Sequence, residues 1–287
     1  MKKVLFLLMF PVLCLGQYTS IPDQNFEQAL IDLGYDDVID GKVLNANINS
    51  VDSLFLEDKN ISDLIGVEAF TALKYLRCYD NQLTSLDVSN NTALTYLNCG
   101  SNGSDYSDQE SSNKLTNLDL SQNTALTELF CGWNQLTSLD VSKNTALTRL
   151  FCPYNQLTSL DVSKNTALTY LYCGNNQLTS FDVSKNTALT KLLCPYNQLT
   201  SLDVSKNTSL TYLYCGNNQL TSFDVSGCTA LTRLFCPYNQ LTSFDVSKNT
   251  ALTDLDCEYN QLTSLDVSKN TALTYLYCGE EVKVIKD

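Results

Sequence analysis

Ten cysteines recur at a regular interval along most of the chain, and their thiols could carry chemistry. They are Cys78, Cys99, Cys131, Cys152, Cys173, Cys194, Cys215, Cys236, Cys257 and Cys278, spaced by 21 residues except for one step of 32. A stacked series of thiols could bind soft metal ions or form disulfides. However, each cysteine follows an apolar residue by two positions, which in a strand places both side chains on the core side. We therefore expect these cysteines to be buried, reduced and inert.

Nine aspartates form a second series with the same interval: Asp87, Asp119, Asp140, Asp161, Asp182, Asp203, Asp224, Asp245 and Asp266. Stacked about 4.8 Å apart, such charges repel by about 1 kcal/mol per pair even in water. We expect lysines three positions later, such as Lys143 and Lys185, and neighbouring hydroxyls to offset this repulsion. Bound calcium is the alternative, here and in two acidic loops at 36–40 and 105–110, which we interpret as ordinary solvated turns. No other metal or cofactor is expected.

The chain contains no histidine, which excludes Ser-His-Asp and Cys-His catalysis and His-ligated metal sites. A glycosidase that uses carboxylates alone remains formally open, but we expect no enzyme and no catalytic residues. The net charge is −13 and no basic stripe exists, which argues against nucleic acid or an anionic membrane as the partner. The composition therefore favours a binding or structural protein.

The cysteines belong to a repeat of 21 residues, and a period of this size is typical of a solenoid. A unit consists of two similar halves, LTYLYCGNNQ and LTSFDVSKNTA at 168–188. In each half the fourth and sixth residues are apolar while the third and fifth vary. This alternation predicts one strand per half, and hence two short parallel strands per coil and two facing sheets. Nine full units and a partial tenth occupy 73–278, with a polar insertion at 101–111.

The segment LTYLYCGNNQL at 168–178 matches the strand signature L-x-x-L-x-L-x-x-N/C-x-L, with Cys173 at the third apolar position. The chain therefore resembles the leucine-rich repeat family, and within it the short 21-residue bacterial class of internalin-like surface proteins. The resemblance implies a leucine-rich repeat solenoid, mainly β, that recognises proteins or mediates adhesion. It also implies a structural role for the repeated asparagines, such as Asn176 and Asn186, at the tight corners of the coils. Cys228 interrupts the second asparagine series and should lower the stability of its coil.

The two ends of the chain differ from the repeats. Residues 1–16 combine two lysines, an apolar run and a small residue, Gly16, which predicts a signal peptide and a secreted or surface-exposed protein. Residues 17–50 should form an N-terminal cap, with a helix from Ile21 to Gly34 that Asp23 begins and that covers the first coil. Residues 51–72 form an atypical first coil and 279–287 a charged tail. No other apolar run is long enough to span a membrane.

The outward positions of the first half change from unit to unit, whereas those of the second half barely do. The fifth place holds Phe130, Phe151, Tyr172, Leu193, Tyr214 and Phe235. The third place holds Glu128, Arg149, Tyr170, Lys191, Tyr212 and Arg233, and the eighth place holds Trp133, Tyr154, Tyr196 and Tyr238. Six coils would expose on the order of 300 Å² of apolar surface, and Tyr, Trp and Arg are enriched in interface hot spots.

We predict from this pattern a monomeric binding module that recognises a protein or a glycan through the aromatic side of the first sheet. Stacking between neighbouring rings could explain the aromatic residues without any ligand, so a passive surface or spacer protein is the alternative. A third interpretation is an ice-binding solenoid, because threonine recurs at the second place of both halves. Bulky neighbouring tyrosines and phenylalanines argue against the flat threonine face that ice binding requires.

Overall fold

The computed structural model describes residues 17–101 and 112–286. The predicted signal peptide and all but the first residue of the predicted insertion, including its acidic residues, lie outside these ranges. The described chain begins with a segment of short strands and helices. A stack of coils follows, with one face formed by a parallel sheet.

The N-terminal segment contains two short strands and two helices. Strand β1 (Tyr18–Ser20) pairs antiparallel with β2 (Lys42–Leu44), and helix α1 (Gln24–Asp32) lies between them in the sequence. Helix α2 (Asn45–Ile48) follows directly. A helix forms inside the predicted range of Ile21 to Gly34 but is shorter, and it buries Phe26 and Leu30. Leu33 follows the end of the helix and is 39% exposed.

Asp23 begins helix α1, as predicted, and also attaches it to the first coil. One carboxylate oxygen accepts hydrogen bonds from the backbone N–H groups of Asn25 and Phe26, both at 2.9 Å. The other accepts the N–H and the hydroxyl of Ser62 at 2.8 and 2.6 Å, and the N–H of Asp63 at 3.1 Å. One carboxylate therefore joins the cap to the solenoid, and these hydrogen bonds hold the pKa of Asp23 below its usual value although burial opposes them.

Eleven three-residue strands, one per coil, form the main sheet. They are β3 (Ser53–Phe55), β4 (Tyr75–Arg77), β5 (Tyr96–Asn98), β6 (Glu128–Phe130), β7 (Arg149–Phe151), β8 (Tyr170–Tyr172), β9 (Lys191–Leu193), β10 (Tyr212–Tyr214), β11 (Arg233–Phe235), β12 (Asp254–Asp256) and β14 (Tyr275–Tyr277). All neighbours are parallel and in register, so that Leu150 lies between Leu129 and Leu171. The first coil also holds a 3-10 turn, Val67–Ala69.

The core is a stack of identical layers. From β4 to β12 the middle residue of every strand is a fully buried leucine, and the cysteine after the strand is also buried. The predicted burial of the cysteine series is thus confirmed, except that Cys278 in the last coil is partly exposed. Every cysteine of the described residues carries a free thiol.

The second half of each unit does not form the predicted second strand. Among the described units only the last full one, before the partial unit of Cys278, has such a strand, β13 (Ser264–Asp266), which pairs with β15 (Lys283–Ile285) from the tail. Elsewhere the backbone bonds locally: the Ser142 N–H donates to Oδ1 of Asp140 at 2.8 Å, and the Asn144 N–H donates to the Val141 carbonyl at 3.0 Å. Aspartate and serine compete with a strand ladder in this way. Turn chemistry therefore overrides the apolar alternation that predicted a strand.

Asparagine side chains join the coils at two positions. In the first half, Oδ1 of Asn155 accepts the Leu136 N–H at 3.0 Å, and its Nδ2 donates to the Cys131 carbonyl at 3.0 Å. In the second half, Nδ2 of Asn144 donates to two carbonyls of the preceding coil. Each asparagine thus satisfies backbone groups that a tight corner leaves without a partner, which is the structural role implied by the resemblance.

Cys228 stands where the second asparagine series should continue. Its thiol donates a single contact, to the Val204 carbonyl at 3.4 Å, whereas Asn207 and Asn249 each donate two hydrogen bonds. We predict that Cys228→Asn raises the free energy of unfolding by about 1 kcal/mol, because one additional buried hydrogen bond contributes roughly that amount. Urea denaturation measures the change. Asn207→Cys, the reverse substitution one coil away, should lower the stability, and a less stable Cys228→Asn variant would contradict the prediction.

Burial makes the cysteine series unreactive. It raises the pKa of Cys99, Cys152 and Cys194 to about 12, so these thiols stay protonated at neutral pH. We predict that, of the described cysteines, only Cys278 reacts with a thiol reagent in the native protein at pH 8, and that all react after denaturation. Counting thiols in denaturant with and without reductant should give the same number. A count that rises by several thiols after reduction would show that disulfides are present.

Candidate functional site

The outward side chains of strands β6 to β11 and of the corners that follow them form one continuous surface, here called the aromatic face. Because alternate residues of a strand point to opposite sides, the buried leucines place their neighbours on this surface. None of the fourteen residues predicted from the sequence is buried: Phe130, Trp133, Arg149, Phe151, Tyr154, Tyr170, Tyr172, Leu193, Tyr196, Tyr212, Tyr214, Arg233, Phe235 and Tyr238. Tyr196 and Tyr238 are its most exposed rings, at 50% and 48%.

Many rings of the aromatic face pack against one another. Phe130 and Phe151 stack with their ring centres 4.6 Å apart, and Trp133 stacks on Tyr154 at 4.5 Å. Burial raises the pKa of Tyr214 to about 12. These rings are half-buried, so they stabilise the sheet as well as covering it. The predicted outward position of the strand tyrosines is observed, and so is the stacking between neighbouring rings that the alternative interpretation expected.

From β7 to β11 the coils alternate between two types, so that the period of this part of the aromatic face is two coils. One type has proline and tyrosine at the seventh and eighth places, as in Pro195-Tyr196, and the other has glycine and asparagine, as in Gly174-Asn175. A Cβ on Gly174 would lie 2.8 Å from Cε2 of Tyr172 and 2.9 Å from Cδ of Pro195 in the next coil. The Tyr172 ring therefore lies across the glycine of its own coil and beside the proline of the next. The same arrangement recurs at Tyr214, Gly216 and Pro237.

The eighth place has left-handed backbone in both types of coil. The residues there are Asp80, Trp133, Tyr154, Asn175, Tyr196, Asn217, Tyr238 and Tyr259, with φ between 51° and 55°. Asparagine and aspartate tolerate this conformation, whereas a bulky residue is disfavoured by roughly 1–2 kcal/mol. The five aromatic members of this series, Trp133, Tyr154, Tyr196, Tyr238 and Tyr259, are here called the corner aromatics. These aromatic side chains thus occupy a position whose backbone conformation favours a smaller polar residue.

Charges on the aromatic face follow the same two-coil alternation. Arg149, Lys191 and Arg233 occupy the third place of alternate coils, and tyrosines occupy it in between. A guanidinium nitrogen of Arg149 lies 3.1 Å from Glu128, and one of Arg233 lies 3.7 Å from Asp254. Acidic residues thus stand at both ends of a row of three cations.

The aromatic surface extends further than the sequence predicted. Tyr75 stacks on Tyr96 at 3.9 Å, and Phe55 packs against Tyr75 at 5.9 Å. At the other end Tyr259 stacks on Tyr238 at 4.2 Å. Tyr75 and Tyr96 occupy the third place and Tyr259 the eighth, so the alignment of the repeats already contained the signal. Extending the three series by one or two coils would have found them.

The aspartate series lies on another side of the coils and is exposed. Oδ1 of Asp182 accepts the Ser184 N–H at 2.8 Å, and the equivalent bond recurs in all nine coils. This bond is the main cause of the lowered pKa of Asp182, while Lys185 contributes less. The expected compensation by lysines is therefore secondary to the backbone hydrogen bond. No group of three or more carboxylate or thiol side chains converges on a metal position within 17–101 and 112–286, and calcium binding stays a prediction.

The comparisons agree with the repeat and the fold. A family model described as leucine-rich repeats (2 copies) matches residues 145–186 and 187–228, each the length of one two-coil period. The functional domain of InlJ from Listeria monocytogenes, described as including a cysteine ladder, is 37% identical, with a TM-score of 0.73. The match covers 94% of this chain and 62% of that domain, so the chain spans less than two thirds of it. No curated protein gives a significant match.

Two more distant structures share the fold alone. An internalin, inlF, from Listeria monocytogenes is 22% identical, with a TM-score of 0.57 and coverage of 92% of this chain and 91% of that one. A leucine-rich repeat protein of Leptospira interrogans is 23% identical, with a TM-score of 0.61 and coverage of 91% and 76%.

The in-register sheet, the asparagine series and the family match together show that the described chain folds as a leucine-rich repeat solenoid. In this fold it is similar to the InlJ domain. No helix of the described residues is long and apolar enough to cross a membrane.

Gly174→Ala tests the packing that defines the two-coil period. The added methyl group would collide with the ring of Tyr172 and with Pro195, so we predict that the free energy of unfolding falls by about 1–3 kcal/mol. Thermal or urea unfolding measures this cost. In a Tyr172→Ala background the cost should shrink, since one of the two collisions is removed. A cost that is the same in both backgrounds would show that the ring does not lie where the structure places it.

Proposed function

We propose that this protein is a secreted or surface-exposed binding module that recognises an extracellular protein or glycan through its aromatic face, and that it has no catalytic role. The signal-peptide pattern of residues 1–16 supports export. The extended regular surface supports binding, since solenoids present such surfaces to their ligands. The absence of histidine from the sequence supports a function without proton-transfer chemistry.

The observation that carries this proposal is the conformation of the corner aromatics. A tyrosine with φ near 53°, as at Tyr196 and Tyr238, is strained, and Asn175 and Asn217 show that the same corner forms with asparagine. Strain of this kind persists where the side chain has a use outside folding. Both tyrosines are also about half exposed, so their rings are available to a ligand.

Of the two alternatives, ice binding is disfavoured by the hydrogen bonds of the threonines, and a passive spacer is favoured in part. Ice binding requires free threonine hydroxyls, but the second-place hydroxyls of the first half are used: Thr148 donates to the Thr127 carbonyl at 3.1 Å, and Thr190 donates to Thr169 at 3.0 Å. A passive spacer is favoured by the half-burial of the strand rings, which gives them a structural reason. Mutual stacking, as between Tyr238 and Tyr259, gives the corner aromatics part of a structural reason, but it does not explain why rings occupy a left-handed corner that asparagine also forms.

The double substitution Tyr196→Asn and Tyr238→Asn tests the proposal. Asparagine already occupies this corner in neighbouring coils, so relief of the left-handed strain should offset the lost stacking of Tyr238 on Tyr259, and the free energy of unfolding should change little. Binding of the released protein to a glycan array and to immobilised extracellular proteins should fall at least tenfold, which is about 1.4 kcal/mol. Tyr172 and Tyr214 are less suitable because their rings pack across glycines.

The matched control is Asp182→Asn with Asp224→Asn, on the aspartate side of coils in the same region. The amide oxygen can still accept the N–H bonds of Ser184 and Ser226, so folding should be preserved and binding unchanged. If the control loses binding and the tyrosine variant does not, the ligand site lies on the aspartate side. If neither the wild-type protein nor the variants bind any probe, the spacer interpretation is right.

A further inference from the structure

The cations of the aromatic face are spaced for a ligand that repeats. Arg149, Lys191 and Arg233 are separated by two strands each, which corresponds to about 9.6 Å. Lys191, at the centre, is exposed, and its ammonium lies 5.5 Å from the centre of the Tyr170 ring. Among the ion pairs of the described residues, none includes Lys191. The middle cation is therefore available to an anionic ligand.

A row of aromatic and apolar side chains runs beside the cations. It consists of the fifth-place residues Phe151, Tyr172, Leu193, Tyr214 and Phe235, one per coil, about 6.6 Å along the strand from the third place. The strands that carry this row are about 4.8 Å apart, which is close to the advance of one sugar along an extended pyranose chain. The ring centres are less evenly spaced: Phe151 and Tyr172 lie 6.3 Å apart, and Tyr214 and Phe235 lie 6.2 Å apart. Aromatic rings beside polar groups form a surface on which the apolar faces of sugars can pack.

We propose that the aromatic face binds a linear acidic polysaccharide with one anionic group on every second sugar, lying along the solenoid axis from β7 to β11. This inference rests on the proposed function and names its ligand class. The sugars pack on the fifth-place row, and one anionic group meets Lys191. The anionic groups two sugars away on either side meet Arg149 and Arg233, which pair with Glu128 and Asp254 and retain further N–H donors for the ligand. The tyrosines between the cations, Tyr170 and Tyr212, face the uncharged sugars.

The structure also limits the length of such a ligand. Asp254, Asp256 and Glu258 follow the last cation, and Glu128 precedes the first, so a polyanion is repelled at both ends. The aspartate series lies on another side of the coils, and the Debye length of about 8 Å at physiological ionic strength screens it. A protein ligand would not repeat every 9.6 Å or so along an axis, so the regular alternation favours a regular polymer.

A second feature suits a glycan at one end of the face. Trp133, Gln135, Tyr154 and Asn175 line a shallow cleft of about 340 Å³, and Lys114 lies at its edge. Exposed amides next to stacked rings can donate and accept the hydrogen bonds that sugar hydroxyls offer. The cleft continues the row of corner aromatics, so a chain that leaves the strand region meets the same chemistry.

Titration calorimetry of the full protein with defined oligosaccharides tests the proposal. The probes are a hyaluronan decasaccharide, with a carboxylate on every second sugar, an oligogalacturonate of equal length, with one on every sugar, and a neutral chitin or cellulose oligomer. The hyaluronan probe should bind at least as tightly as the oligogalacturonate although it carries half the charge, and at least tenfold more tightly than the neutral oligomer. Polyglutamate of matched charge should bind at least tenfold more weakly.

The variant Lys191→Gln with Arg233→Gln should weaken binding of the hyaluronan probe at least tenfold. Lys185→Gln with Lys206→Gln removes the same charge from another side of the coils and should change it less than twofold. Circular dichroism and the melting temperature show whether both variants fold like the wild type. Equal losses in both variants would mean general charge attraction and would overturn the proposal.

Other outcomes separate this inference from the proposed function. If none of the acidic oligosaccharides binds but Tyr196→Asn with Tyr238→Asn abolishes binding to another probe, the binding face is right and the ligand class is wrong. Tighter binding of polyglutamate than of any oligosaccharide would indicate an acidic protein as the partner. Equal affinity for the neutral oligomer would show that the cations do not take part.

Discussion

The whole fold depends on one constraint: each residue lies beside its own counterpart, about 4.8 Å away, in the next coil. Leucine and cysteine meet this constraint by filling the core, and asparagine meets it by bonding the backbone of the preceding coil, as Asn155 does to Cys131. Aspartate fits this constraint less well, because in-register stacking brings like charges close together. The chain resolves this by tying each carboxylate to the serine N–H two residues later in its own coil, so that every carboxylate has a partner without bonding to its neighbours.

Much of this could be predicted from the sequence because a fixed period converts sequence position directly into spatial position. The register of the sheet, the buried leucines and cysteines and the surface position of all fourteen candidate residues follow from the 21-residue period. The capping role of Asp23, which lies outside the repeats, follows from the preference of aspartate for the N-cap position. The same period, carried further towards both ends of the chain, leads to Tyr75 and Tyr259. Periodicity identifies which residues are neighbours, but it does not predict the side-chain conformations that these neighbours adopt.

The rest could not be predicted, for reasons that lie outside periodicity. The second half of each unit alternates like a strand, yet the short side chains of Asp140 and Ser142 satisfy the backbone locally and no ladder forms. The direction of the Tyr172 ring is set by Gly174 in its own coil and Pro195 in the next, a three-residue contact that no single position reveals. The left-handed backbone of the eighth place was hard to predict, because tyrosine disfavours that conformation. The signal was Asn175 and Asn217 at the same place, since asparagine tolerates it.

The alternation of glycine and proline has a consequence for how such a protein can grow. Gly132, Gly174 and Gly216 each precede a proline-bearing coil, and each leaves room that a Cβ would fill. Duplication of a single coil within the gene could therefore stack proline against proline and close that room. Duplication of two coils preserves every junction. The unit that can be duplicated without disturbing these contacts is thus a pair of coils, one with glycine and one with proline. We expect related proteins to gain or lose length in steps of two coils. Each step would add or remove one third-place cation and one third-place tyrosine from the aromatic face.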